Sequence, residues 1–267
     1  MKKQFKLGVI GCNLVAQTII RGAVLSDFLS ERKIIVSGAD EKYEDAFDEL
    51  GVYLVDDDKF VFENSEYLLI AVNTEQFKKL SKAVAIHQAK IISVSDKLKK
   101  NEIKSMLGVS SVKVARGIAN LPSVIGSGAV GLDMSDYNSS IDDIEFISNL
   151  FNCIGTVLSI DESKFDALIG LSVNGPAYVF MFIDSLIDAG VKQGLKKSEA
   201  KLMAVQTVLG AAEMVGREEN TVSELTMQAC NNGGTALEGI KVLEQHKMRE
   251  IIDEAVDSSV KRLKELD

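Results

Sequence analysis

Residues 168–195 read LIGLSVNGPAYVFMFIDSLIDAGVKQGL, and they carry the largest apolar block in the chain. From Pro176 onward the apolar residues leave little room for a polar face, which predicts a helix buried nearly all round. Pro176 suits the first turn of such a helix, where a missing N–H is no loss. Asp184 and Asp188 interrupt the block, and we expect it to be too short for a bilayer span. The stretch therefore predicts the central helix of a large soluble core or of a subunit interface, with an ordinary capped core helix as the plainer alternative.

The overall composition limits the class of protein. The chain has 267 residues, of which 46% are hydrophobic, so we expect one large domain or two smaller ones with a substantial core. Its formal net charge of -9 argues against nucleic acid as a partner, because phosphate binding needs clustered lysine and arginine. A short lysine-rich run is interleaved with Asn101 and Glu102 and predicts a solvated helix face; its lysines are Lys97, Lys99, Lys100 and Lys104.

Cysteine and histidine are scarce. The chain has three cysteines, far apart and without a C-x-x-C pair, and only two histidines. This usage favours a reducing cytoplasm, no metal site and no Ser-His-Asp triad. The basic start at Met1 is followed by an apolar run that Gly8 and Gly11 break, so no signal peptide is expected. We therefore expect a cytoplasmic protein.

A strand, a glycine turn and a helix open the chain. Lys6–Ile10 predicts the strand, and a helix to about Ser26 follows the turn. In this context a helix N-terminus offers N–H groups and a positive dipole to a pyrophosphate. Asn13 stands where the dinucleotide fingerprint has its second glycine; asparagine tolerates positive φ, but its side chain crowds a phosphate. The alternative is a retained fold with a decayed cofactor site. The candidate cofactor-binding residues here are Gly11, Cys12, Asn13, Leu14 and Val15.

Strands and amphipathic helices then alternate, which predicts a parallel, doubly wound sheet. Helices fit at Glu41–Leu50 and Gln76–Ile86. Asp40 follows the second strand, where a carboxylate can accept from a ribose 2′-OH, so it favours NADH over NADPH; a helix N-cap is the alternative role. The further predicted strands are Lys33–Ser37, Val52–Val55, Tyr67–Val72, Lys90–Val94 and Val112–Ala115.

The second half of the chain predicts helices after a strand at Gly155–Ser159. The expected organisation is a dinucleotide-binding domain of Rossmann type, residues 1–160, followed by an all-helical domain, residues 161–267. The predicted helices are Asn138–Phe151, Ser163–Gly170, Ser198–Val215, Glu224–Cys230, one from Thr235 through Leu243, and Lys247–Leu266.

Several motifs follow one another in a distinctive order: Gly8–Ala16, Ala71–Asn73, Arg116–Pro122, Ser172–Tyr178 and Asn231–Gly239. In this order the chain resembles the pyrroline-5-carboxylate reductase family over nearly its whole length. The resemblance implies that the helical domain interlocks with its twin in a homodimer. It also implies that NADH or NADPH delivers hydride to the carbon of a cyclic C=N bond, with reduction of pyrroline-5-carboxylate to proline as the expected reaction.

The resemblance also suggests roles for individual residues. It adds Ala71, Val72, Asn73 and Asn120 to the cofactor-binding set. The implied substrate-binding residues are Asn174, Asn231, Gly233, Gly234 and Thr235, of which Thr235 and Asn231 are the candidate catalytic residues. Glycines at a helix N-terminus leave N–H groups uncovered, and the helix dipole favours the carboxylate of an imino acid there.

The chain departs from the family pattern at the implied site. Ala236 stands where the family has a threonine hydroxyl near the ring nitrogen, and Asn231 and Asn232 replace serine and proline. Asp96 and Lys97 stand where the family has small residues beside the nicotinamide. These departures leave two alternatives open, a reductase-like paralogue with a regulatory or partner-binding role and a reductase of a related imino acid.

Overall fold

The computed structural model describes residues 3–38, 41–84, 90–95, 97–217, 219–230 and 234–266. The chain forms two compact units, the first ending at Val173 and the second spanning Asn174–Leu266. The boundary between functional domains that the sequence predicts, at residues 160 and 161, stays a prediction.

An eight-stranded sheet organises the first unit, in the order β3-β2-β1-β4-β5-β6-β7-β8. All neighbouring strands are parallel except β6 and β7. The predicted strands are confirmed with small shifts of their ends, but the antiparallel strand β7 was not predicted. The strands are β1 (Phe5–Ile10), β2 (Ile34–Ser37), β3 (Tyr53–Val55), β4 (Ser65–Ile70), β5 (Lys90–Ser93), β6 (Lys113–Ala119), β7 (Gly128–Asp133) and β8 (Gly155–Ser159).

Helices cover both faces of this sheet, which confirms the doubly wound architecture. Apolar side chains of α1 and α6 belong to one core cluster, and those of α3, α4 and α5 belong to a second cluster. The helices are α1 (Leu14–Leu25), α2 (Glu41–Leu50), α3 (Asp58–Asn64), α4 (Thr74–Ala83), α5 (Lys100–Leu107), α6 (Ile141–Asn152) and α7 (Phe165–Leu168), with a π-helical turn at Ile169–Val173.

Lys100 corrects the prediction of a solvated lysine face. It begins α5 but is only 6% exposed, and its Nζ donates to Asp133 Oδ1 at 2.8 Å. Asp133 Oδ2 accepts from the backbone N–H of Glu162 at 2.8 Å, and Arg116 donates to the Glu162 carboxylate at 2.9 Å. Lys97 and Lys99 are exposed as predicted, but the carboxylate partner of Lys100 lies far away in sequence, so the short polar run did not reveal its burial. The result is an ion cluster that joins α5, β6 and β7.

The second unit consists of helices in the residues that the structure describes, as predicted. Its core cluster is small and contains Ile187, Ala200 and Ala204. The helices are α8 (Gly175–Lys192), α9 (Lys197–Arg217), α10 (Val222–Ala229), α11 (Thr235–Gln245) and α12 (Met248–Leu266).

Helix α8 leaves most of its apolar side chains at the surface of the single chain. Pro176 lies in its first turn, as predicted. Ile187 is its only buried residue, while Phe180 is 54% and Met181 is 75% exposed. The prediction of a helix buried nearly all round is therefore wrong for one chain alone, and the alternative of a subunit interface accounts for the exposed face.

The helical stretch that contains α8 is longer than its apolar block suggested. Glu162–Lys192 is long and apolar enough to cross a membrane, judged by length and composition over the described residues. The prediction that it is too short was wrong, because α7 and the π-helical turn run directly into α8. The core helix of a soluble protein passes the same test, so this stretch alone is weak evidence for a membrane.

Candidate functional site

Gly11 forms the turn between β1 and α1. Its φ is +79°, in the left-handed region that favours glycine. A Cβ at this position would lie 2.3 Å from Val72 Cγ1, and the Gly11 N–H donates to Ser37 O at 2.9 Å. The turn therefore fits tightly between the ends of β2 and β4, and only glycine fits there.

Asn13 caps the helix that follows. Its φ is −126° and its ψ is 174°, so its tolerance of positive φ is not used and this position needs no glycine. Its Oδ1 accepts from the Ala16 N–H at 2.9 Å, so the side chain is engaged with the first helical turn. An α-helix supplies no internal partner to the N–H groups of Leu14 and Val15 at this end. They therefore fit a pyrophosphate.

A cleft of about 630 Å³ opens beside this turn, at the carboxyl ends of β1, β4 and β5. Strands β1 and β4 are neighbours in the sheet but not in sequence, so the strand order reverses here. Doubly wound proteins bind nucleotides at this kind of switch point. The lining residues are Asn13, Ala71, Val72, Asn73, Thr74, Glu75, Lys78, Ser95 and Lys97.

The structure brings four predicted cofactor-binding residues to this cleft, namely Asn13, Ala71, Val72 and Asn73. Asn73 is also the N-cap of α4. Its Oδ1 accepts from the Gln76 N–H at 2.9 Å, and its own N–H donates to Gln76 Oε1 at 3.1 Å. The N-terminus of a second helix is thus fixed at the edge of the cleft.

Other predicted cofactor-binding residues do not line the cleft. Cys12 and Val15 are half-buried and pack against the core. Leu14 is 42% exposed and lines a separate cavity of about 370 Å³ beside α1. Asn120 Oδ1 accepts from the Ala129 N–H at 2.9 Å, and its Nδ2 donates to Ser172 O at 3.2 Å. Its side chain thus holds the connection between β6 and β7.

The substrate-binding predictions fall in the second unit. Gly234 is the N-cap of α11, and Thr235 is its exposed first residue. Asn174 Nδ2 donates to Ser259 Oγ at 2.6 Å, which ties the start of α8 to α12. The predictions for Asp40, Asn231 and Gly233, and the departure at Asp96, lie outside the described residues.

Sequence reasoning missed Glu75, Lys78 and Ser95 as lining residues. Glu75 and Ser95 lie within about five residues after the ends of β4 and β5. The carboxyl ends of parallel strands meet at one edge of a sheet, and this rule applied to every strand would have found these two residues. Lys78 lies further on, inside α4.

A second electrostatic cluster lies at the opposite, amino edge of the sheet. Lys90 Nζ lies 2.6 Å from Asp143 Oδ1 and 3.1 Å from Glu66 Oε1. Burial alone would raise the carboxyl pKa values, but hydrogen bonds and charge from lysine outweigh burial and lower the pKa of Glu66 and of Asp143. Burial raises the pKa of Tyr67, and its hydrogen bond to Asp143 adds to the effect. These shifts stabilise the fold at a distance from the cleft.

Comparison with known proteins covers both units. A family model described as pyrroline-5-carboxylate reductase dimerisation matches residues 162–266. A second, described as NADP oxidoreductase coenzyme F420-dependent, matches residues 6–97. The first match contains all of the helical second unit, and the second match contains the glycine turn and the cleft.

The proteins that match this chain over its whole length are also pyrroline-5-carboxylate reductases. The pyrroline-5-carboxylate reductase of Arabidopsis thaliana is 31% identical, over 99% of this chain and 96% of the relative. The structure of a pyrroline-5-carboxylate reductase from Coxiella burnetii is 28% identical, with a TM-score of 0.89 over 100% of this chain and 99% of its own. That of Plasmodium falciparum pyrroline carboxylate reductase with NADP bound has a TM-score of 0.82 at 23% identity, covers 99% and 98%, and shares the fold.

The glycine turn, the helix behind it and the cleft at the switch point define a nicotinamide dinucleotide-dependent oxidoreductase with a Rossmann domain. The residues of the turn fit this cofactor. The surroundings of Gly11 leave no room for a Cβ, and α1 presents N–H groups at the turn. The likeness to the relatives extends through both units. The chain belongs to the pyrroline-5-carboxylate reductase family.

Proposed function

We propose that this protein reduces pyrroline-5-carboxylate to proline with a hydride from NADH or NADPH. One observation carries the proposal: an intact glycine turn at the switch point lies in a chain that is 31% identical to a curated reductase over 99% of its length. When bound, the cofactor supplies the hydride. The N–H groups of Leu14 and Val15 hold its pyrophosphate, and Ala71, Val72 and Asn73 flank it in the cleft.

In this proposal the start of α11 binds the substrate carboxylate. Gly234 caps the helix in extended backbone, with φ −71° and ψ 154°, and the helix dipole there favours an anion. Thr235 and Asn231 supply hydroxyl and amide groups that orient the imine, and Gly233 and Asn174 complete the proposed substrate-binding set. A protonated imine is already electrophilic, so correct positioning contributes most of the acceleration.

We also propose that the protein works as a homodimer in the cytoplasm. The exposed apolar face of α8 lies within the region that matches the dimerisation family model. Cys12, Cys153 and Cys230 form no disulfide, which suits a reducing compartment. NADH is the expected cofactor, because Asp40 follows β2 in the sequence and a carboxylate there repels a 2′-phosphate.

The test is loss of nicotinamide absorbance when pyrroline-5-carboxylate is added to the purified protein, with NADH and NADPH separately. Rapid oxidation would support the proposal and settle the preferred cofactor. Nucleotide binding without oxidation would indicate a related imino acid as substrate. If neither nucleotide bound, the protein would be a non-catalytic paralogue with a regulatory role.

A substitution in α11 tests the altered substrate loop. Ala236 lies exposed in the first turn of α11. Ala236→Thr restores the hydroxyl of the family and is expected to raise turnover by about two- to tenfold, the equivalent of one hydrogen bond. Ala236→Val is the matched control, because it adds the same branched shape without a hydroxyl. An equal gain in both variants would show that shape, not hydrogen bonding, limits the reaction.

A further inference from the structure

A cavity of about 370 Å³ lies beside α1, apart from the cofactor cleft. It is bounded by one face of α1, by the 3₁₀ turn Leu121–Ile125 and by the segment where α6 leads into β8. Its volume falls in the range of small-molecule sites, which is about 300–1,000 Å³. All of its lining residues belong to the first unit, and none of them lines the cofactor cleft.

One face of α1 supplies a row of side chains to the cavity. Residues three and four apart share a face of a helix, and the face of α1 opposite this row is buried against the sheet. Gln17 and Arg21 are one turn apart in the row, and apolar side chains stand at its two ends. The row consists of Leu14, Gln17, Thr18, Arg21 and Leu25. The helix therefore presents an amide and a guanidinium between two apolar groups.

Two glycines bring the walls of the cavity close together. A Cβ on Gly22 would lie 2.8 Å from Cys153 O, so α1 packs directly against the end of α6. A Cβ on Gly128 would overlap Ser123 Oγ and lie 2.7 Å from Ile154 O. A larger residue at either position would push backbone atoms apart. The cavity is therefore formed by tight contacts between regular elements of the fold.

Arg21 is the only charged residue among the described residues that line the cavity. Its side chain is exposed, and within the described part of the chain no hydrogen bond or ion pair occupies its guanidinium. A guanidinium can bind a carboxylate through two parallel hydrogen bonds. One guanidinium balances one negative charge, so the cavity suits a monoanion.

Ser123 is a second, independent indication of a ligand. It lines the cavity and is 5% exposed, and its Oγ has no hydrogen-bond partner among the described residues. A buried hydroxyl without a partner costs free energy, and native proteins leave few such groups unsatisfied. The Thr18 hydroxyl, by contrast, donates to Leu14 O at 2.7 Å. Ser123 is therefore the hydroxyl that is free to donate to a ligand.

We propose that this cavity binds a small aliphatic monocarboxylate. Arg21 pairs with the carboxylate, and Ser123 donates a further hydrogen bond to it. The aliphatic part of the ligand packs against the exposed apolar side chains of Leu25, Val124 and Ile125, and burial of this surface adds to the affinity. Inorganic phosphate fits less well, because it carries more charge than one arginine balances and has no apolar part. This inference goes beyond the proposed function, because it involves neither the cofactor nor the imine.

The experiment measures the binding of isovalerate to the purified protein by isothermal titration calorimetry at neutral pH. Isovalerate is expected to bind with a dissociation constant of about 1 mM or tighter. Its uncharged amide, isovaleramide, has the same shape without the charge and is expected to bind at least about tenfold more weakly. Inorganic phosphate is expected to bind at least about fivefold more weakly than isovalerate.

Substitutions of Arg21 test the charge and the shape of the guanidinium. Arg21→Gln is expected to weaken isovalerate binding at least about tenfold. Arg21→Lys keeps the charge but loses the planar fork, and it is expected to weaken binding by about three- to fivefold. Arg32→Gln is the matched control, because it removes an exposed arginine outside the cavity, and it should change the affinity by less than about twofold. Equal affinity in wild type and Arg21→Gln would overturn the proposal.

Ser123→Ala tests the buried hydroxyl. It is expected to weaken isovalerate binding by about three- to tenfold without lowering the thermal unfolding temperature, because the lost hydroxyl has no partner in the folded chain. Unchanged affinity together with a lower unfolding temperature would show that the hydroxyl serves packing, and it would overturn its role as a donor to the ligand.

A second carboxylate site must be distinguished from the cavity, because the start of α11 is also proposed to bind a carboxylate. Thr235→Val weakens that site, and Arg21-dependent binding of isovalerate should persist in it. Loss of isovalerate binding in Thr235→Val, tighter binding of phosphate than of isovalerate, or no binding to the wild-type protein would overturn the proposal. Arg21-dependent binding without imine reduction would contradict the proposed function and support this inference.

Discussion

Helices α1 and α8 are both mostly apolar, yet they differ in how far a single chain buries them. Five residues of α1 are buried against the sheet, whereas α8 buries only Ile187. The apolar content of a helix therefore predicts that other residues bury it, but it does not say whether those residues belong to the same chain. The first unit completes its own core, and the second unit is left with a large uncovered apolar surface.

The exposed apolar surface of α8 is large enough to determine the stability of the second unit. Phe180, Met181 and Phe182 are all exposed in one chain, and burial of each such side chain contributes about 1.5–3 kcal/mol. Soluble monomers seldom expose contiguous patches of this kind. The first unit therefore buries its core with its own residues, whereas the second unit needs a second copy of the chain to bury its apolar surface.

The largest expected effect comes from breaking the second unit. Met181→Asp is expected to dissociate the homodimer, because an unpaired charge buried in an apolar interface costs several kcal/mol. Sedimentation velocity should show the change in mass, and imine reduction should fall at least about a hundredfold, which corresponds to ~2.7 kcal/mol. Nucleotide binding by the first unit should persist. Lys201→Glu, on an exposed position of α9, is the control and should remain dimeric. A dimeric Met181→Asp protein would show that α8 is not the interface.

The next effect tests the self-sufficiency of the first unit. The hydrogen bonds of Lys100 and Ser135 outweigh burial and lower the pKa of Asp133 to about 2. Since an unfolded aspartate has a pKa of about 3.9, this stabilisation is complete above that pH and is lost as the pH falls toward 2. Asp133→Asn is expected to cost about 2–3 kcal/mol of unfolding free energy at pH 7.

Urea unfolding from pH 2 to pH 7 measures this effect. The difference between wild type and Asp133→Asn should shrink across the acid range as the wild-type carboxylate protonates. Asp142→Asn removes an exposed carboxylate from α6 and should cost less than about 0.5 kcal/mol. A pH-independent difference would mean that Asp133 contributes shape rather than charge.

The smallest expected effect tests the first unit through its cofactor-binding turn. Gly11→Ala should weaken nucleotide binding by at least about tenfold, because its Cβ would meet Val72 and a non-glycine residue at positive φ costs roughly 1–2 kcal/mol. Gly108→Ala is the matched control: its φ is +66°, and a Cβ there meets nothing within 4 Å. Gly11→Ala should lose more thermal stability than Gly108→Ala because of its contact with Val72, both variants should stay dimeric, and calorimetric titration should show lost binding in Gly11→Ala alone. Equal nucleotide affinity in the two would contradict the role of the turn.

Much of the fold could be predicted because buried parallel strands form continuous apolar runs. Strand β7 was missed because its sequence, GAVGLD, is rich in small residues and has no continuous run of large apolar ones. Helix α3 was missed because DKFVFEN is short and mixes charge with aromatic residues. The burial of Lys100 depends on Asp133, thirty-three residues away, and no local pattern contains that information.

The site was predictable to the extent that its residues adjoin a strand end within a recognisable motif. Asn13 and Ala71–Asn73 met that condition and line the cleft. Lys78 did not, because it lies inside α4, beyond the loop that follows β4. Side-chain roles were harder still, since the Asn13 and Asn120 amides are engaged in backbone hydrogen bonds that sequence alone does not reveal.

Asn13 has a consequence for how such chains evolve and are recognised. Its backbone is in an ordinary extended conformation, so reversion to glycine would lose only a capping bond, at a cost of a few tenths of a kcal/mol. Selection on stability would hardly resist drift between the two residues. A search for a glycine-rich fingerprint would therefore pass over chains that keep the same turn, whereas a search that required only Gly11, whose φ of +79° favours glycine, would find them.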